Sequence, residues 1–324
     1  MKAVVQDRYG PPSDLRLEDV AVPSIAGAEV LVEVRAASVN PPDWCAVHGV
    51  PYIVRAAFGL RRPRQRVRGT DLAGVIAATG PEVVGLRAGD EVFGVGRGTF
   101  AELAVAAEDH LVTKPANLSF EEAAAVPMSA LTALHAVRDG ARVGTGQRVL
   151  ITGAGGGVGS FAVQIAKAFG AEVTGVCGPT KVELVRALGA DHVIDYTRED
   201  FTELAERYDA VIDNVLDHRL TRLRGVLCPD GTLVPNGGQF HKRWLASTPI
   251  MLIEAPVVSL VGRRRVRTVH EAANAADLRV LAELIEAGKV RPIIGRRFAL
   301  AEVGQAISCW GEGHSGGKLV IDVS

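Results

Sequence analysis

One short segment restricts what this chain can fold into more than any other. The apolar run Val149–Thr152 has the composition of a buried strand, and it leads directly into the glycine-rich sequence Gly153–Gly159. An Ala/Val/Ile-rich stretch, Val158–Phe169, follows and predicts a helix. A strand, a glycine turn and a helix in this order form the fingerprint G-x-G-x-x-G, which binds a dinucleotide.

The small residues of this turn each have a physical role in that fingerprint. We align Ala154, Gly156 and Gly159 with its three glycines, so that alanine replaces the first. The first position permits the tight turn, the second lets the backbone approach a pyrophosphate, and the third lets the helix pack closely on the strand. The helix N-terminus supplies N–H groups for the phosphates. The predicted cofactor contacts here are Ala154, Gly155, Gly156, Gly157, Val158 and Gly159.

Composition and charge exclude several classes of protein. The chain has 324 residues, enough for two domains, and its 48% hydrophobic and 23% charged residues are typical of soluble globular proteins. A formal net charge of -1 gives no general attraction to nucleic acid or to anionic membranes. The four cysteines are scattered without a C-x-x-C spacing, which favours reduced thiols. Neither a signal peptide nor a membrane span is evident, and we expect a cytoplasmic protein.

The chain changes character near residue 120. Before this point, short β-branched runs separated by Gly and Pro predict a compact antiparallel or partly open barrel. A capping-box sequence from Ser119 to Glu122 then begins a helical stretch that continues to Val137. Apolar strands alternate with helices beyond it, which predicts a parallel sheet covered on both faces. The helices of this part are predicted at Gly157–Phe169, Lys181–Leu188 and Phe201–Glu206.

The expected architecture is therefore an α/β protein with two domains. Residues 123–273 are predicted to form a doubly wound parallel sheet of the Rossmann type, and residues 1–122 a β-rich domain. Strands predicted at Pro292–Phe298 and Lys318–Val323 return to the β-rich domain, so residues 274–324 are assigned to it.

The end of the second strand of the alternating part indicates which dinucleotide is bound. NAD sites usually carry an Asp or Glu there, which accepts a hydrogen bond from the ribose 2′-hydroxyl. Here the strand ends in Cys177 and Gly178 without an acid, and Thr180 and Lys181 follow. These two residues supply the donors and positive charge that a 2′-phosphate requires, and Tyr196 would close the pocket. The alternative is that they only begin a helix, with the lysine solvated. We expect NADPH.

Five motifs occur in the order in which a known family has them. They are Val39–Trp44, Gly69–Gly74, Gly89–Gly94, Gly153–Gly159 and Leu188–Tyr196. Over essentially its whole length the chain resembles the zinc-free quinone oxidoreductase branch of the medium-chain dehydrogenase/reductase superfamily. The resemblance implies that the β-rich domain is a GroES-like catalytic domain, that a cleft separates it from the Rossmann domain, and that the protein is a homodimer.

The resemblance also implies roles for particular residues. Asn40 and Thr132 match residues that line the nicotinamide end of the cleft in this family, and Lys181 and Tyr196 match contacts to the 2′-phosphate. Two backbone segments match those that pass under the cofactor. They are Asn214, Val215 and Leu216, and Asn236 with Gly237 and Gly238.

Zinc-dependent members of the superfamily have ligands that this chain lacks. They carry Gly-His-Glu where this chain has Gly69, Thr70 and Asp71, and the lobe with four closely spaced cysteines has no room here. Cys45 lies near the position of a zinc-ligand cysteine, but one soft ligand without its histidine does not hold zinc. We predict no metal and a structural role for Cys45.

Two further features leave alternatives open. Tyr52 could face the cleft and donate to a substrate carbonyl, or could be an ordinary packed tyrosine. The segment Arg55–Arg68 contains six arginines and Arg263–Arg267 contains four more. They could form an anion site for a phosphopantetheine-borne substrate or RNA, or could be solvated loops balanced by acids elsewhere.

These observations predict an NADPH-dependent, zinc-independent reductase of quinones or other activated alkenes and carbonyl-conjugated acceptors. Asn40, Tyr52 and Thr132 are the candidate catalytic residues. The cofactor supplies the hydride, and the protein contributes orientation, desolvation and hydrogen bonds to the developing oxyanion or enolate. The alternatives are a reductase of 2-enals or enoyl thioesters that uses the same site, and a non-catalytic NADPH-binding or RNA-binding protein.

Overall fold

The computed structural model describes residues 1–52, 55–236, 264–269, 272–313 and 316–323. The chain forms two compact units. The first consists of Met1–Leu131, Ala272–Glu286 and Pro292–Ser324, and the second of Thr132–Glu271 and Ala287–Arg291. The domain boundaries predicted from the sequence, after residue 122 and before residue 274, stay predictions, whereas the compact units divide after Leu131 and before Ala272.

The first unit is built on a mostly antiparallel sheet. Its strands among the described residues are β1 (Lys2–Val5), β2 (Arg16–Asp19), β3 (Glu29–Val39), β4 (Asp71–Thr79), β5 (Glu91–Val95), β6 (Leu103–Ala107), β7 (Leu111–Thr113), β14 (Ile294–Ala299) and β15 (Lys318–Asp322). Seven of the described strands share one sheet in the order β14-β15-β3-β4-β5-β7, with β6 also paired to β3, while β1 pairs with β2. The C-terminal β15 therefore lies antiparallel beside β3, with Leu319 opposite Val39.

Short helices cover this sheet and explain where the unit ends. They are α1 (Pro41–His48), α2 (Arg55–Phe58), α3 (Phe120–Ala124), α4 (Pro127–Leu134), α8 (Ala275–Glu286) and α9 (Val303–Gly311). Helix α3 packs on β3 and β4, so the residues just after 122 belong to the first unit. The core buries Leu72, Ile76 and Phe100 completely or almost completely.

The second unit is a doubly wound parallel sheet. The described strands are β8 (Arg148–Thr152), β9 (Glu172–Cys177), β10 (His192–Asp195), β11 (Tyr208–Asp213), β12 (Leu227–Pro235) and β13 (Arg265–Val266), and the described helices between them include α5 (Gly157–Ala168), α6 (Val182–Ala187) and α7 (Leu220–Gly225). The strand order is β10-β9-β8-β11-β12-β13. The chain runs outward from β8 to β10 and then crosses to β11, so the carboxyl ends of β8 and β11 flank the topological switch point. The predicted α/β class and doubly wound sheet are confirmed.

One predicted helix of this unit is wrong. Residues 201–206 form turns, and the helix of this part of the chain is α7. Asp200 accepts hydrogen bonds from the backbone N–H of Thr202 at 2.9 Å and from its hydroxyl at 2.6 Å. Such side-chain bonds to a nearby backbone group stabilise a turn in place of a helix.

Among the described residues, no helix is long and apolar enough to cross a membrane.

Candidate active site

The glycine turn after β8 differs in one position from the predicted alignment. Gly153 has φ of 61°, a left-handed conformation that favours glycine, so the tight turn is made by Gly153 and not by Ala154. Ala154 is fully buried, and its N–H donates to the carbonyl of Val176 at 3.0 Å. The alanine therefore joins the turn to β9, and the placement of the first fingerprint position on Ala154 is wrong.

The two later glycines have different steric surroundings. A Cβ on Gly159 would overlap the carbonyl oxygen of Gly153, which is what close packing of α5 on β8 requires. A Cβ on Gly156, the N-cap of α5, would meet within 4 Å only that same oxygen, at 3.1 Å. The outer face of Gly156 is thus open, beside the first N–H groups of α5, which have no partner inside the helix.

The loop after β11 is held next to this turn at the switch point. The N–H of Asn214 donates to the hydroxyl of Thr152 at 3.0 Å, and its side-chain amide donates to the Thr152 carbonyl at 2.9 Å. One oxygen of the buried Asp213 accepts from the Thr152 hydroxyl at 2.6 Å and from the N–H groups of Val215 and Leu216, both at 3.2 Å. Burial raises the pKa of Asp213. These bonds fix the backbone that the resemblance places under the cofactor.

The end of β12 is tied into the same network. The Asn236 amide donates to the side-chain oxygen of Asn214 at 2.9 Å, and its backbone N–H donates to the Asp213 carbonyl at 2.8 Å. Gly237 and Gly238, the other predicted contacts of this segment, lie outside the described residues. The sequence reasoning missed Thr152 and Asp213, although a polar residue at the last position of an apolar strand is a usable signal.

The residues predicted to bind a 2′-phosphate cluster beside the turn. The aliphatic stem of Lys181 packs on Gly155, whose Cβ, if present, would lie 2.7 Å from the lysine Cδ. The hydroxyl of Tyr196 would lie 3.3 Å from a Cβ on Gly178, and Thr180 is exposed. Lys181 is half-buried, burial lowers its pKa, and it forms no ion pair with the carboxylates of the described residues.

An acid that the sequence reasoning did not consider lies one strand away. Asp195 ends β10 and pairs in register with Cys177, the last residue of β9. Its Oδ1 accepts from the backbone N–H of Thr197 at 3.0 Å and from the Thr197 hydroxyl at 2.8 Å. The carboxylate therefore closes its own turn. Burial raises the pKa of the Cys177 thiol, which makes that side chain unreactive.

Asn40 lies in the first unit, where β3 passes into α1. It is buried, and its N–H donates to Asp43 Oδ2 at 2.8 Å in a capping box. The ammonium of Lys318 donates to Asn40 Oδ1 at 2.5 Å and to the Val39 carbonyl at 3.2 Å. Burial is the main cause that raises the pKa of Asp43 to about 7.

A buried carboxylate lies beside this amide. Asp71 has no exposed surface, and its oxygens accept from the Ser38 hydroxyl at 2.9 Å and from the Met128 N–H at 3.1 Å. Lys318 lies 3.5 Å from the same carboxylate. Asp71 is thus occupied by internal partners.

The other two candidate catalytic residues lie in different surroundings. The ring of Tyr52 is 72% exposed, so the packed alternative does not describe it, and the guanidinium of Arg55 lies 4.7 Å from its centroid. The same guanidinium lies 4.6 Å from the ring of Tyr9. Thr132 is buried in α4 and belongs to the second unit, whereas Asn40 and Tyr52 belong to the first.

Half of the arginine-rich segment has a structural role. Arg66 forms ion pairs with Asp7 and Glu18, while Arg68 is buried and donates to the side-chain oxygen of Gln6 at 3.1 Å. Arg55 lies between two tyrosine rings, as described above. Three arginines of this segment are exposed and have no ion pair within the described residues: Arg61, Arg62 and Arg64.

Comparison with known proteins establishes the family. Residues 26–116 match the alcohol dehydrogenase GroES-like domain, and residues 188–321 match the family described as zinc-binding dehydrogenase. The mitochondrial NAD(P)H oxidoreductase RTN4IP1 of Mus musculus is 32% identical, with 100% of this chain and 89% of that protein covered. A 2-methylene-furan-3-one reductase of Solanum lycopersicum is 35% identical over 99% of this chain and 79% of that protein. The structure of the quinone oxidoreductase from Coxiella burnetii has a TM-score of 0.86 and 30% identity, covering 100% of this chain and 99% of that chain.

This chain belongs to the quinone oxidoreductase-like branch of the medium-chain dehydrogenase/reductase superfamily. The predicted family and its GroES-like domain are therefore confirmed. The protein is an oxidoreductase of a family that uses a nicotinamide cofactor.

The residues of this oxidoreductase do not fit the zinc that one matching family name suggests. The Cys45 thiol is buried, which raises its pKa to about 12, so it stays protonated and is a poor ligand. Thr70 and Asp71 occupy the positions of the histidine and glutamate, and Asp71 is already bonded internally. The described part of the chain contains no group of three or more His, Cys, Asp or Glu side chains that could hold a metal ion.

Proposed function

We propose that this oxidoreductase transfers hydride from NADPH to quinones or to other acceptors in which a carbonyl is conjugated with a double bond. The observation that carries the proposal is the half-buried ammonium of Lys181, which lies on the dinucleotide turn without a carboxylate partner in the described residues. A 2′-phosphate would supply the missing negative charge, whereas NADH would leave the ammonium uncompensated.

The residues around the switch point fit such a cofactor. Gly155, Gly156 and the first N–H groups of α5 would hold the pyrophosphate, since the face of Gly156 is open. Lys181, with Thr180 and Tyr196, would hold the 2′-phosphate. The loops that begin at Asn214 and at Asn236 would lie under the nicotinamide half. When bound, the cofactor supplies the hydride from its C4 position.

The protein's own contribution is to orient the acceptor and to stabilise the charge that forms on it. We assign the Asn40 amide as a hydrogen-bond donor to the acceptor oxygen, which becomes an oxyanion or enolate oxygen during reduction. Tyr52 and Thr132 are the further candidate donors. One well-placed donor of this kind contributes about 10²–10³ to kcat. Because conjugation spreads the charge onto this oxygen, ordinary donors suffice without a Lewis acid.

A second candidate function uses the same site for the double bond itself. The tomato relative is named a 2-methylene-furan-3-one reductase, and that name describes a substrate with a double bond next to a ketone. Reduction of 2-enals or enoyl thioesters would need the same donor at the carbonyl oxygen. No feature of the described residues favours the non-catalytic or RNA-binding alternative.

The two candidates are separated by their products. Purified protein is incubated with NADPH and, separately, with a 1,4-quinone, a 2-enal and an enoyl thioester, and the products are identified by mass spectrometry. A hydroquinone as the fastest product supports quinone reduction, and a saturated aldehyde or thioester as the fastest product supports alkene reduction. Absence of all three products would contradict the proposed function.

Assembly and compartment belong to the same proposal. The resemblance supports a homodimer, which light scattering of the purified protein tests directly. We propose a cytoplasmic protein with a small-molecule substrate on the basis of its composition and scattered cysteines. The mouse relative is named as a mitochondrial protein, so fractionation of the source cells is the relevant test of compartment.

A further inference from the structure

A buried lysine contacts the amide that the proposed reaction uses. Lys318 is 3% exposed, and its ammonium donates to Asn40 Oδ1, to the Val39 carbonyl and towards Asp71. The contact with Asn40, at 2.5 Å, is the shortest of the three. Burying an ammonium is costly, so a lysine in this apolar C-terminal strand needs a physical reason.

The ammonium determines which way the Asn40 amide faces. A lysine offers three donors and no acceptor, so only the amide oxygen can face it. The amide nitrogen therefore points away from Lys318. Its contact within the described residues is with the Ser38 carbonyl at 3.5 Å, which is at the limit of a hydrogen bond. The Nδ2 donors of Asn40 are consequently left to bind another acceptor.

We propose that Lys318 is a positioning residue, which holds Asn40 Oδ1 so that the Asn40 amide N–H groups donate to the acceptor oxygen during hydride transfer. This inference rests on the proposed function. The positive charge on the amide oxygen also polarises the amide, and hydrogen bonds in such a chain strengthen one another. An amide free to turn over would offer its oxygen to the developing oxyanion in part of the population and would repel it.

The fold explains how a lysine near the C-terminus reaches a residue near position 40. Strand β15 runs antiparallel to β3 with Leu319 opposite Val39, which places Lys318 beside the end of β3. Asp71, at the start of β4 in the same sheet, supplies the opposite charge. Burial lowers the pKa of Lys318, and the charges of Asp71 and Asp43 oppose this effect and favour the ammonium.

The test is a double-mutant cycle on kcat at saturating NADPH and acceptor. We expect Asn40→Ala to lower kcat about 100-fold and Lys318→Met to lower it about tenfold or more, with the Kd of NADPH unchanged within about twofold. In the Asn40→Ala background, Lys318→Met should change kcat by less than about twofold, because the amide it positions is gone. Equal losses in both backgrounds would overturn the proposal.

A matched control separates positioning from the general effect of losing a buried lysine. Lys114 belongs to the same unit, its side chain is 8% exposed, and its ammonium lies 3.2 Å from Glu91 and 2.8 Å from the Leu118 carbonyl. Lys114→Met should leave kcat unchanged. A loss equal to that of Lys318→Met would show that any buried lysine matters and would overturn the proposal.

Lys318→Met leaves the buried Asp71 without its cation, so a charge-balanced variant completes the design. The double variant Lys318→Met/Asp71→Asn removes both charges and keeps acceptors for Ser38 and Met128, and it should show the same loss of kcat with a cooperative thermal transition. Wild-type kcat in this folded variant would overturn the proposal.

A spectroscopic readout does not depend on turnover. The chain has five asparagines, so selective ¹⁵N labelling of asparagine with the Asn40→Ala variant identifies the Asn40 side-chain resonances. Lys318→Met should shift these resonances or broaden them, and Lys114→Met should not. Unchanged Asn40 resonances in Lys318→Met would overturn the proposal. If wild-type protein reduces none of the acceptors, the proposed function fails, and this measurement still decides whether Lys318 holds the amide.

Discussion

Single side chains determine which nicotinamide nucleotide this oxidoreductase prefers. The end of β9 carries no acid, Lys181 lies on the dinucleotide turn, and Asp195 on the neighbouring strand is bonded within its own turn. An acceptor for the ribose 2′-hydroxyl is therefore missing where NAD sites have one, while a cation is present.

Replacement of Lys181 tests this assignment. Lys181→Ala should weaken NADPH binding by about 1–3 kcal/mol and leave NADH binding nearly unchanged, because only NADPH has the 2′-phosphate that pairs with the ammonium. Titration of each nucleotide by fluorescence or calorimetry gives the two Kd values. Arg186→Ala, which removes an exposed charge from α6 of the same unit, is the control. An unchanged ratio of the two Kd values in Lys181→Ala would refute the assignment.

Residues could be predicted from the sequence where local chemistry determines their position. Lys181 and Tyr196 follow strand ends, so their placement beside the glycine turn follows from the order of the elements. Lys318 could not be paired with Asn40 in this way, because the two are 278 positions apart and meet only through the register of β15 on β3. The pairing of distant strands is not encoded in any short motif.

At the level of elements, the turn between β8 and α5 carries the strongest structural constraint. Gly153 provides the left-handed turn, Gly159 allows the helix to approach the strand, and Gly156 leaves a face open for a ligand. Substitutions at the last two positions should therefore fail for different reasons.

Gly156→Val should abolish binding of the dinucleotide while the chain still folds, because its side chain would occupy the space for the pyrophosphate and meets only one backbone oxygen within 4 Å. Gly159→Val is the contrast, since its side chain would overlap the Gly153 carbonyl and should destabilise the unit itself. Thermal unfolding and NADPH titration of both variants check this. Normal NADPH binding by folded Gly156→Val would show that the pyrophosphate lies elsewhere.

The capping box of α1 makes stability depend on pH. Burial raises the pKa of Asp43 from its ordinary 3.8 to about 7, so the folded state holds this proton more tightly than the unfolded state. The resulting stability is fully present below about pH 4 and is lost as the pH rises through about 7, by up to about 1.4 kcal/mol per pH unit. Asp43→Asn keeps an acceptor for the Asn40 N–H but does not titrate. Urea unfolding at pH 5 and pH 8 should show wild type losing more stability than this variant, and an equal loss in both would contradict it.

The elements themselves were mostly predictable, and the exceptions have local causes. β4 and β5 begin and end where β-branched and apolar runs begin and end. The helix predicted at residues 201–206 failed because the Asp200 side chain captures the next turn's donors. The first fingerprint position was misplaced because Gly153 and Ala154 are both small, and only φ distinguishes the residue that makes the turn.

For the whole molecule, the reaction should require no metal. Oxidation of a simple alcohol develops alkoxide character that zinc enzymes stabilise with a Lewis acid, and such a zinc needs about three protein ligands. Cys45 is a buried, protonated thiol, and Thr70 and Asp71 stand where the other ligands would be. We expect purified protein to contain far less than one zinc per chain by elemental analysis and to keep its activity after treatment with a chelator. Stoichiometric zinc with chelator-sensitive ethanol oxidation would contradict this.

The central claim, that the molecule moves hydride from NADPH to a conjugated acceptor, is tested most directly by NADPH absorbance at 340 nm. Purified wild-type protein is mixed with NADPH or NADH and with a quinone or an enone, beside a mixture without protein. The account predicts NADPH oxidation that needs both protein and acceptor, consumes one NADPH for each acceptor reduced, and is much slower with NADH at the same concentration. NADPH oxidation no faster than in the mixture without protein, for every conjugated acceptor, would contradict it.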